Sequence, residues 1–558
     1  MTTLPANASS VAGQPLAEAA ERRLIAWHIY VALLALALGT LMGPFQALEH
    51  AGVNLYRYLP FLKSYYQGLS IHGVLNVLVW TTFFICGFLQ FATASTLRTP
   101  LYSLKLGWLA FWLMVVGVAL AGWALLTNNA TVLFTSYPPL QAHPAYYIGL
   151  TLVVVGTWLV SANVIGTWRA WRREHPSERT PLGAFAAMVT LIMWDIATLG
   201  IAVEFLFQLI PMALGLVGGT DPLLARAFFW FTGHPIVYFW LLPAYLSWYS
   251  MVPAQAGGRL FSDPLARLAL LLFIPLSVPV GFHHQFADPG ISPAWKLLHG
   301  VLTFLVFFPS AMTAFTVVAS LETAGRARGG RGYLGWIFRL PWGDPSVAAQ
   351  LLAMGLFALG GISGLVNASY NLNLVVHNTA WVPGHFHLTV GSGVTLTFMG
   401  ISYWLIPYLT GRRLWSDRVA LAQAWTWFAG MLVFSRGLHW LGLLGAPRRT
   451  MLGSAAYLAL HPEWRPAALM VAVGGSVLAV SLVLYLLQMA MTIWASREPA
   501  RVQVPEAEAL SGPERAPELF ERWRVWVGAA VVITAVAYVP SVAALVARFN
   551  PVPGLRVW

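Results

Sequence analysis

The chain has 558 residues, of which 58% are hydrophobic and only 9% are charged, and its net charge is +12. Soluble globular domains carry about 25% charged residues, so this composition excludes a water-soluble globule of this size and indicates the lipid bilayer as the solvent. The positive charge does not indicate nucleic-acid binding, because the basic residues lie between apolar segments and form no single stripe.

Apolar runs of about 20 residues, the length of a helix that crosses a bilayer, recur along nearly the whole chain. They predict an all-α integral membrane protein of about 13 transmembrane helices, in a single membrane domain over residues 24–548. Residues 1–23 are predicted to be a tail without the basic start and short apolar run of a cleaved signal peptide, so the first span is expected to be retained. Residues 496–524 are predicted to be a linker and residues 549–558 a C-terminal tail. The predicted spans are 24–48, 69–95, 106–127, 145–170, 183–217, 225–253, 265–286, 296–323, 346–368, 382–408, 419–444, 466–495 and 524–548.

Arginine and lysine are concentrated in the loops that follow the even-numbered spans. Such residues are retained on the cytoplasmic side of a membrane, so the N-terminal tail and the linker at 496–524 are predicted to be cytoplasmic. The even-numbered spans then run from the outside to the inside. The basic residues of these loops are Arg98, Lys105, Arg169, Arg172, Arg173, Arg179, Arg259, Arg267, Arg326, Arg328, Arg331, Arg339, Arg412, Arg413 and Arg418.

Six of the 14 histidines fall near the outer end of a predicted span and therefore at one level of the membrane. Ionisable residues are costly within lipid and usually mark function, although a single membrane histidine is often a packed polar group. The single cysteine, Cys86, excludes an all-thiolate metal cage within this chain, so a metal site must use histidine or carboxylate. The six histidines are His72, His234, His283, His284, His385 and His387.

The spacing of these histidines predicts more than one metal site. His385 and His387 are about 200° apart around a helix, so they face opposite sides and suit two separate metal groups. Neutral imidazole is a ligand of heme iron, zinc and copper. His283 and His284 are adjacent near the end of a span, and with His234 they form a candidate three-imidazole site that suits copper or zinc. The alternative is three unrelated packing histidines.

Hydroxyl side chains lie beside this candidate site and inward of it. Tyr238 is four residues after His234 and shares its helix face, although membrane tyrosines are also common packing residues. These hydroxyls are either a chain for protons rising from the cytoplasm or helix-packing groups bonded to their own backbones. The hydroxyls further inward are Tyr245, Tyr249, Ser310, Thr313 and Thr316.

Three motifs together resemble subunit I of the heme–copper oxidase superfamily. They run from Trp230 to Tyr238 (WFTGHPIVY), from Gly281 to Asp288 (GFHHQFAD) and from His377 to His387 (HNTAWVPGHFH). The residues of these motifs are most similar to those of the B branch, which includes the Thermus-type ba oxidases. A thirteenth helix also fits that group. The resemblance covers the chain from Phe45 through the last span.

The resemblance implies the catalytic subunit of a terminal respiratory oxidase. Such a cytochrome c oxidase reduces dioxygen to water with four electrons and couples this to proton uptake and translocation. The implied cofactors are a low-spin heme b, a high-spin heme expected to be of the a type, and the copper CuB. The implied ligands are His72 and His387 for heme b, His385 for the high-spin heme, and His234, His283 and His284 for CuB. Tyr238 is implied to be cross-linked to His234 and to supply an electron and a proton.

The resemblance also implies roles for residues around the cofactors. Arg448, Arg449 and His377 are implied to lie at heme propionates, because a forked guanidinium suits a carboxylate; ordinary surface arginines are the alternative. Ile236 stands where the A branch carries a glutamate, so a single proton path is implied. That path runs through Ser310, Thr313, Tyr249, Tyr245 and Tyr238.

Two further positions depart from expectation. Asn373 stands where close relatives carry an aspartate, so proton loading is expected at the propionates or at His377. Asp195 is a carboxylate inside the fifth span. It is expected either to bond a neighbouring helix or to tune proton or water access.

Electron entry requires a partner. A CuA site needs two thiolates and Cys86 is alone, so a separate CuA-bearing subunit II fed by cytochrome c is expected. A small single-helix subunit is a further partner that the resemblance to the B branch allows. The other expected partners are the lipid bilayer, in a prokaryotic cell membrane, and dioxygen, with no nucleic acid.

Two other functions compete with this interpretation. A nitric oxide reductase of the same superfamily holds non-heme iron, carries glutamates around it and lacks the cross-linked tyrosine, so Tyr238 and Ile236 argue against it. A transporter with proton-relaying histidines would contain no heme.

Overall fold

The computed structural model of the chain describes residues 19–131, 136–453 and 457–556. Residues 1–18 of the predicted N-terminal tail and residues 557–558 of the C-terminal tail lie outside these ranges. The described chain is built mainly of helices. The longer helices, in chain order, are α1 (Ala19–His50), α2 (Tyr65–Leu97), α3 (Leu104–Leu126), α4 (Pro144–Glu174), α5 (Leu182–Ala213), α6 (Pro222–Gly233), α7 (Pro235–Ser250), α8 (Asp263–Ser277), α9 (Pro293–Ala327), α10 (Pro345–Ala368), α11 (Trp381–Thr410), α12 (Asp417–Leu443), α13 (Pro462–Ala495) and α14 (Trp523–Ala547).

The predicted class is confirmed, and each predicted span contains a helix. Ten helices of the described residues are long and apolar enough to cross a membrane, fewer than the predicted 13. The sixth predicted span is divided into α6 and α7, because Pro235 has no N–H to continue the helix. The seventh is α8, which has only 15 residues. The eleventh, α12, has 27 residues but carries Arg436 and His439 within it.

Two pairs of short strands connect loops that lie far apart in the sequence. β1 (Leu140–Gln141) pairs in parallel with β4 (Leu555–Arg556), and β2 (Leu260–Ser262) pairs in parallel with β3 (Ala509–Ser511). The second pair anchors the segment that the sequence predicts to be a linker. Glu521 of that segment also accepts a hydrogen bond from Thr180 (2.8 Å) and pairs with the buried Arg267 (3.3 Å).

The degree of enclosure differs strongly between the helices. Within an apolar stretch of 18 residues in each helix, 89% of the residues are buried in α11 but only 28% in α9. The helix that carries His385 and His387 therefore runs through the middle of the bundle, and α9 presents most of its surface outward. α11 also widens to a π-helical turn at Thr389–Val394, directly after its histidines. Such widened turns are frequent at functional sites.

Candidate metal and cofactor centre

His385 and His387 lie against different neighbours of α11. The Nδ1 atom of His385 is 3.0 Å from the Gly360 carbonyl and 3.0 Å from the Ser363 hydroxyl, both on α10. The ring of His387 packs instead on Phe434 of α12, at 4.7 Å, and faces His72 of α2. The two rings of the His-Phe-His motif therefore point into separate environments, as expected for positions about 200° apart.

His72 and His387 form a facing pair of imidazoles. Their ring centroids are 6.4 Å apart and their planes differ by only 16°. The Nδ1 atom of each ring is held by a backbone carbonyl, of Gly39 for His72 (3.0 Å) and of Pro383 for His387 (2.7 Å). Nδ1 therefore carries the proton, which leaves each Nε2 free to bind a metal. Two metal–nitrogen bonds of about 2 Å each, plus half of each ring, span about this separation, so the pair fits one metal between the rings.

A mostly apolar cavity of about 430 Å³ surrounds this pair. The volume is within the range of about 300–1,000 Å³ that is typical of ligand pockets. Its walls include His72, His387 and, from the α12–α13 connection, Arg448 and Arg449. A large flat apolar cofactor with anionic groups at one edge fits these walls.

His234, His283 and His284 converge where two helices are interrupted. His234 stands between α6 and α7, next to Pro235, and the other two lie in the short 3₁₀ turn Gly281–Gln285 after α8. One ring nitrogen from each histidine lies within 4.8 Å of those of the other two. His234 Nδ1 is 3.2 Å from His284 Nε2. The three rings thus offer a set of neutral imidazole donors of the kind that suits copper or zinc.

Contacts from other helices fix the orientation of these rings. His283 Nδ1 is 2.8 Å from Thr303 Oγ1, and Thr303 donates its own proton to the His299 carbonyl (2.6 Å). The hydroxyl must then accept from His283 Nδ1–H, so Nε2 of His283 is the nitrogen left for a metal. His284 is stacked on the Trp230 ring at a centroid distance of 3.9 Å.

Tyr238 is buried beside the three-histidine cluster. Its hydroxyl lies 3.0 Å from His234 Nε2, on the side of that ring opposite the nitrogen that faces His284. The Tyr238 and His234 ring centroids are 5.0 Å apart. The phenol is therefore close enough to exchange a proton with the site while His234 keeps Nδ1 directed at the cluster.

A group of arginines surrounds Tyr137 near the cavity. The guanidinium groups of Arg226 and Arg449 lie 4.7 Å and 5.8 Å from the Tyr137 ring centroid, and Arg226 pairs with Asp288 (2.9 Å). Burial lowers the pKa of Arg448, and burial together with Arg448 lowers the pKa of Arg449 to about 9. Arg449 also has a φ of 60°, a conformation that non-glycine residues adopt rarely and mostly at functional sites. Three guanidinium groups gathered in this way suit an anionic ligand.

His377 and Asn373 lie together at the end of the short helix Tyr370–Val376. His377 Nδ1 is 3.0 Å from Asn373 Oδ1, and the Asn373 amide donates to the Asn367 carbonyl (2.7 Å). Burial, followed by the charge of Arg448, lowers the pKa of His377. An aspartate in place of Asn373 would oppose this shift, so the asparagine helps to keep His377 neutral.

The predicted proton path is only partly connected. Tyr249 donates to Thr313 Oγ1 (2.5 Å), and Tyr245 faces Ser310 without meeting hydrogen-bond geometry within the described chain. Thr313 and Thr316 each donate to the carbonyl four residues earlier, as helix-packing hydroxyls do. Direct contacts among the described residues therefore do not close the path from Tyr249 to Tyr238.

Ile236 and Asp195, which depart from the expected sequence pattern, each have defined neighbours in the structure. Ile236 lines the main cavity, which keeps that wall apolar where a carboxylate would be ionisable. Asp195 accepts a hydrogen bond from Ser161 of α4 (2.6 Å), which agrees with the first of the two roles expected for it.

The residues that hold the histidines were not predicted from the sequence. Pro383 is four residues before His387, and a histidine that bonds the carbonyl four residues earlier could have been anticipated from helix geometry. Thr303 and Gly39 belong to other helices than the histidines they hold, so no local pattern indicates them.

Known proteins that are similar to this chain are oxidase subunits. The family model described as Cytochrome C and Quinol oxidase polypeptide I matches residues 23–477. The chain is 48% identical to cytochrome c oxidase subunit 1 of Thermus thermophilus, over 96% of this chain and 97% of that protein. It is 27% identical to cytochrome c oxidase subunit 1 of Thermostichus vulcanus, over 82% and 81% of the two chains. A cryo-EM structure of a heme-copper terminal oxidase dimer superimposes with a TM-score of 0.91 at 39% identity, over 96% of this chain and 95% of that one.

Proposed function

This chain belongs to the family of cytochrome c and quinol oxidase polypeptide I and is the catalytic subunit of a terminal oxidase, and from that premise we propose how its residues divide the work. It is an oxidoreductase of the respiratory chain, a multi-pass membrane protein, and it works in a complex with other subunits. The relatives favour neither a nitric oxide reductase nor a transporter. Heme and copper are general features of the family.

The two environments of α11 support a proposal for the cofactor ligands. His72 and His387 would hold the low-spin heme b, since they face each other at 6.4 Å inside an apolar cavity. His385, directed at α10, would hold the high-spin heme, which we expect to be of the a type. His234, His283 and His284 would hold CuB. When bound, these groups supply the electron carriers and the site at which dioxygen is reduced to water.

The chain itself holds and delivers protons at this site. The Tyr238 hydroxyl is 3.0 Å from His234, so Tyr238 would act as the proton and electron donor nearest to the copper ligands. Its burial excludes bulk water, so that a proton given up by the phenol reaches the site rather than solvent. We propose that Tyr238 is cross-linked to His234, because this contact holds the two rings side by side.

Protons would reach Tyr238 from the side that carries most arginines. The route would use Thr313, Tyr249, Ser310 and Tyr245, with water molecules closing the gaps that direct hydrogen bonds leave. Apolar Ile236 offers no second ionisable relay beside His234. One hydroxyl-lined route is therefore the proposal that these residues support best.

The arginine group would bind the carboxylates of the hemes. Arg448 and Arg449 line the cavity of the His72–His387 pair, and an added anion would restore the charge balance there. His377, which lies close to Arg448, would take part in proton release at this edge together with the propionates.

The electron supply and location follow from the family and the charge pattern. The single cysteine Cys86 is buried inside α2, so electrons would come from a CuA-bearing subunit II that accepts them from cytochrome c. A small single-helix subunit would complete the complex. The arginine-rich loops support an N-terminus in the cytoplasm of a prokaryotic cell, and the chain would then lie in the plasma membrane and translocate protons outward.

The observation that carries this proposal is the convergence of six histidines into a facing pair, a cluster of three and a separate sixth. The test is pyridine hemochrome and metal analysis of the purified complex. We expect two hemes and one copper for each copy of this chain, in addition to copper of subunit II. Iron in place of that copper, or a single heme, would contradict the assignment.

A further inference from the structure

Asp195 and its neighbour Trp194 face two different cavities. Trp194 lines the cavity that surrounds His72 and His387, and its indole N–H donates to Thr157 (2.9 Å). Asp195 lines a second cavity of about 470 Å³ between α4, α5 and the segment before α3. The carboxyl is therefore separated from the histidine centre by the wall that Trp194 forms.

The second cavity is a groove along α4. Ala162, Gly166 and Ala170 follow each other at four-residue intervals and share one helix face that lacks bulk. A Cβ atom on Gly166 would lie 2.7 Å from the ring of Tyr102, so that ring packs directly onto the helix and forms one side of the groove.

The groove leads from the arginine-bearing surface toward the middle of the membrane. Arg169 and Arg173 line one end, and Ser161 and Asp195 line the other. Ser161 and Arg173 are twelve residues apart on α4, which corresponds to about 18 Å along a helix. Positive loops mark the cytoplasmic side, so the groove begins at the cytoplasmic surface and ends at the carboxyl.

The Asp195 carboxyl has an acceptor position that the protein does not use. Its Oδ2 atom accepts from Ser161 (2.6 Å), while its Oδ1 atom is enclosed and has no hydrogen-bond partner within residues 19–131, 136–453 and 457–556. A carboxyl within a membrane needs a partner or water. The groove is large and polar enough to hold water, since a single water needs only about 15 Å³ of such volume.

Glu204 of the same helix provides a natural contrast. It is fully buried, and neither of its carboxyl oxygens has a hydrogen-bond partner within the described part of the chain. It is not among the residues that line the groove. Helix α5 therefore carries one carboxyl that opens onto a cavity and one that is sealed.

We propose that the groove is a water-filled inlet from the cytoplasmic surface and that Asp195 at its end is a proton-binding site, distinct from the metal centre. The charged and titratable groups that line the groove with Asp195 are Arg169 and Arg173 of α4 and Tyr102. No titratable side chain of α2, α6, α7 or α8 within the described residues lines it. The two guanidinium groups at the mouth repel metal and ammonium ions, whereas a proton can pass along water without carrying an ion through.

The test is infrared difference spectroscopy of the purified complex in phosphatidylcholine vesicles, in H₂O and D₂O and over the pH range in which the complex is stable. The wild type should show a carboxylic acid band that titrates with pH and shifts in D₂O. Asp195→Asn should remove that band, and the matched variant Glu204→Gln should retain it. An unchanged titrating band in Asp195→Asn would overturn the proposal, as would the absence of any titrating band that depends on Asp195.

A second variant tests the inlet and keeps the proposal open to refutation if Asp195→Asn does not assemble. Ala162→Phe fills the groove at an exposed position, so it should slow deuterium exchange of the Asp195 band at least tenfold. Val480→Phe on the exposed face of α13 is the control and should leave the exchange rate unchanged. Equal exchange in Ala162→Phe and wild type would show that protons reach Asp195 by another route and would overturn the inlet.

Discussion

The side chains of the histidine centre and those of the hydroxyl route are held by different kinds of contact. In the centre, five of the six histidines direct one nitrogen at a backbone carbonyl or a hydroxyl, at 2.7–3.0 Å, so the other nitrogen is already oriented. In the route, Thr313 and Thr316 donate to their own helix, and Tyr245 meets no partner of hydrogen-bond geometry in the described chain. Ligands that bind metals need fixed geometry, whereas groups that pass protons need room for water to reorganise.

This comparison predicts that substitutions in the histidine centre have large, local effects on cofactor binding and turnover, and that substitutions in the hydroxyl route have smaller effects. The strongest test is Tyr238→Phe, which removes the phenol hydroxyl 3.0 Å from His234 and leaves the ring packing intact. Oxygen consumption should fall at least about 100-fold, the contribution of a positioned proton donor. Heme content should be unchanged in pyridine hemochrome spectra. Near-normal turnover would remove Tyr238 from the mechanism.

The next largest effect is expected when one imidazole of the facing His72–His387 pair is removed. His72→Ala should abolish the low-spin heme signal in reduced-minus-oxidised spectra and leave the high-spin heme detectable, because His385 is held separately by α10. His461→Ala changes an exposed histidine on the surface and serves as the control. Retention of both heme signals in His72→Ala would refute the assignment of the pair.

A smaller effect is expected from the contact that orients His283. Thr303→Val keeps the shape of the side chain but removes the oxygen that accepts from His283 Nδ1. Loss of such a partner lowers metal affinity by about 10- to 100-fold. Copper retention against a chelator measures it, and Thr303→Ser should behave like the wild type. Equal retention in Thr303→Val would mean that the cluster does not depend on this contact.

The smallest effect tests the hydroxyl route. Thr313→Val removes the acceptor of Tyr249 and should slow turnover about tenfold, equivalent to about 1.4 kcal/mol in the barrier. Thr323→Val lies further along α9, where the hydroxyl bonds only its own helix, and should be close to wild type. Stopped-flow measurement of proton uptake separates the two. A larger loss than in Tyr238→Phe would reverse the order that the comparison predicts.

The histidine set was predictable because it depends on local periodicity. The separation of His385 from His387 follows from helix geometry alone, and the structure places them against α10 and α12 as that geometry requires. The predicted number of spans is not confirmed, since ten helices of the described residues have the length and composition of a membrane span. The stretch 225–253 reads as one apolar run, yet Pro235 divides it, because a proline in a run removes a backbone donor without lowering its hydropathy.

The sequence by itself determined the class of protein, the order of the helices and which side chains can carry metals, since hydrophobic length and helical spacing are properties of short segments. Only the tertiary structure decided which nitrogen of each imidazole is free, that Thr303 orients His283, and that Asp195 opens onto a groove while Glu204 is sealed. These features arise from contacts between helices that lie far apart in the chain, and they depend on packing that no local pattern encodes.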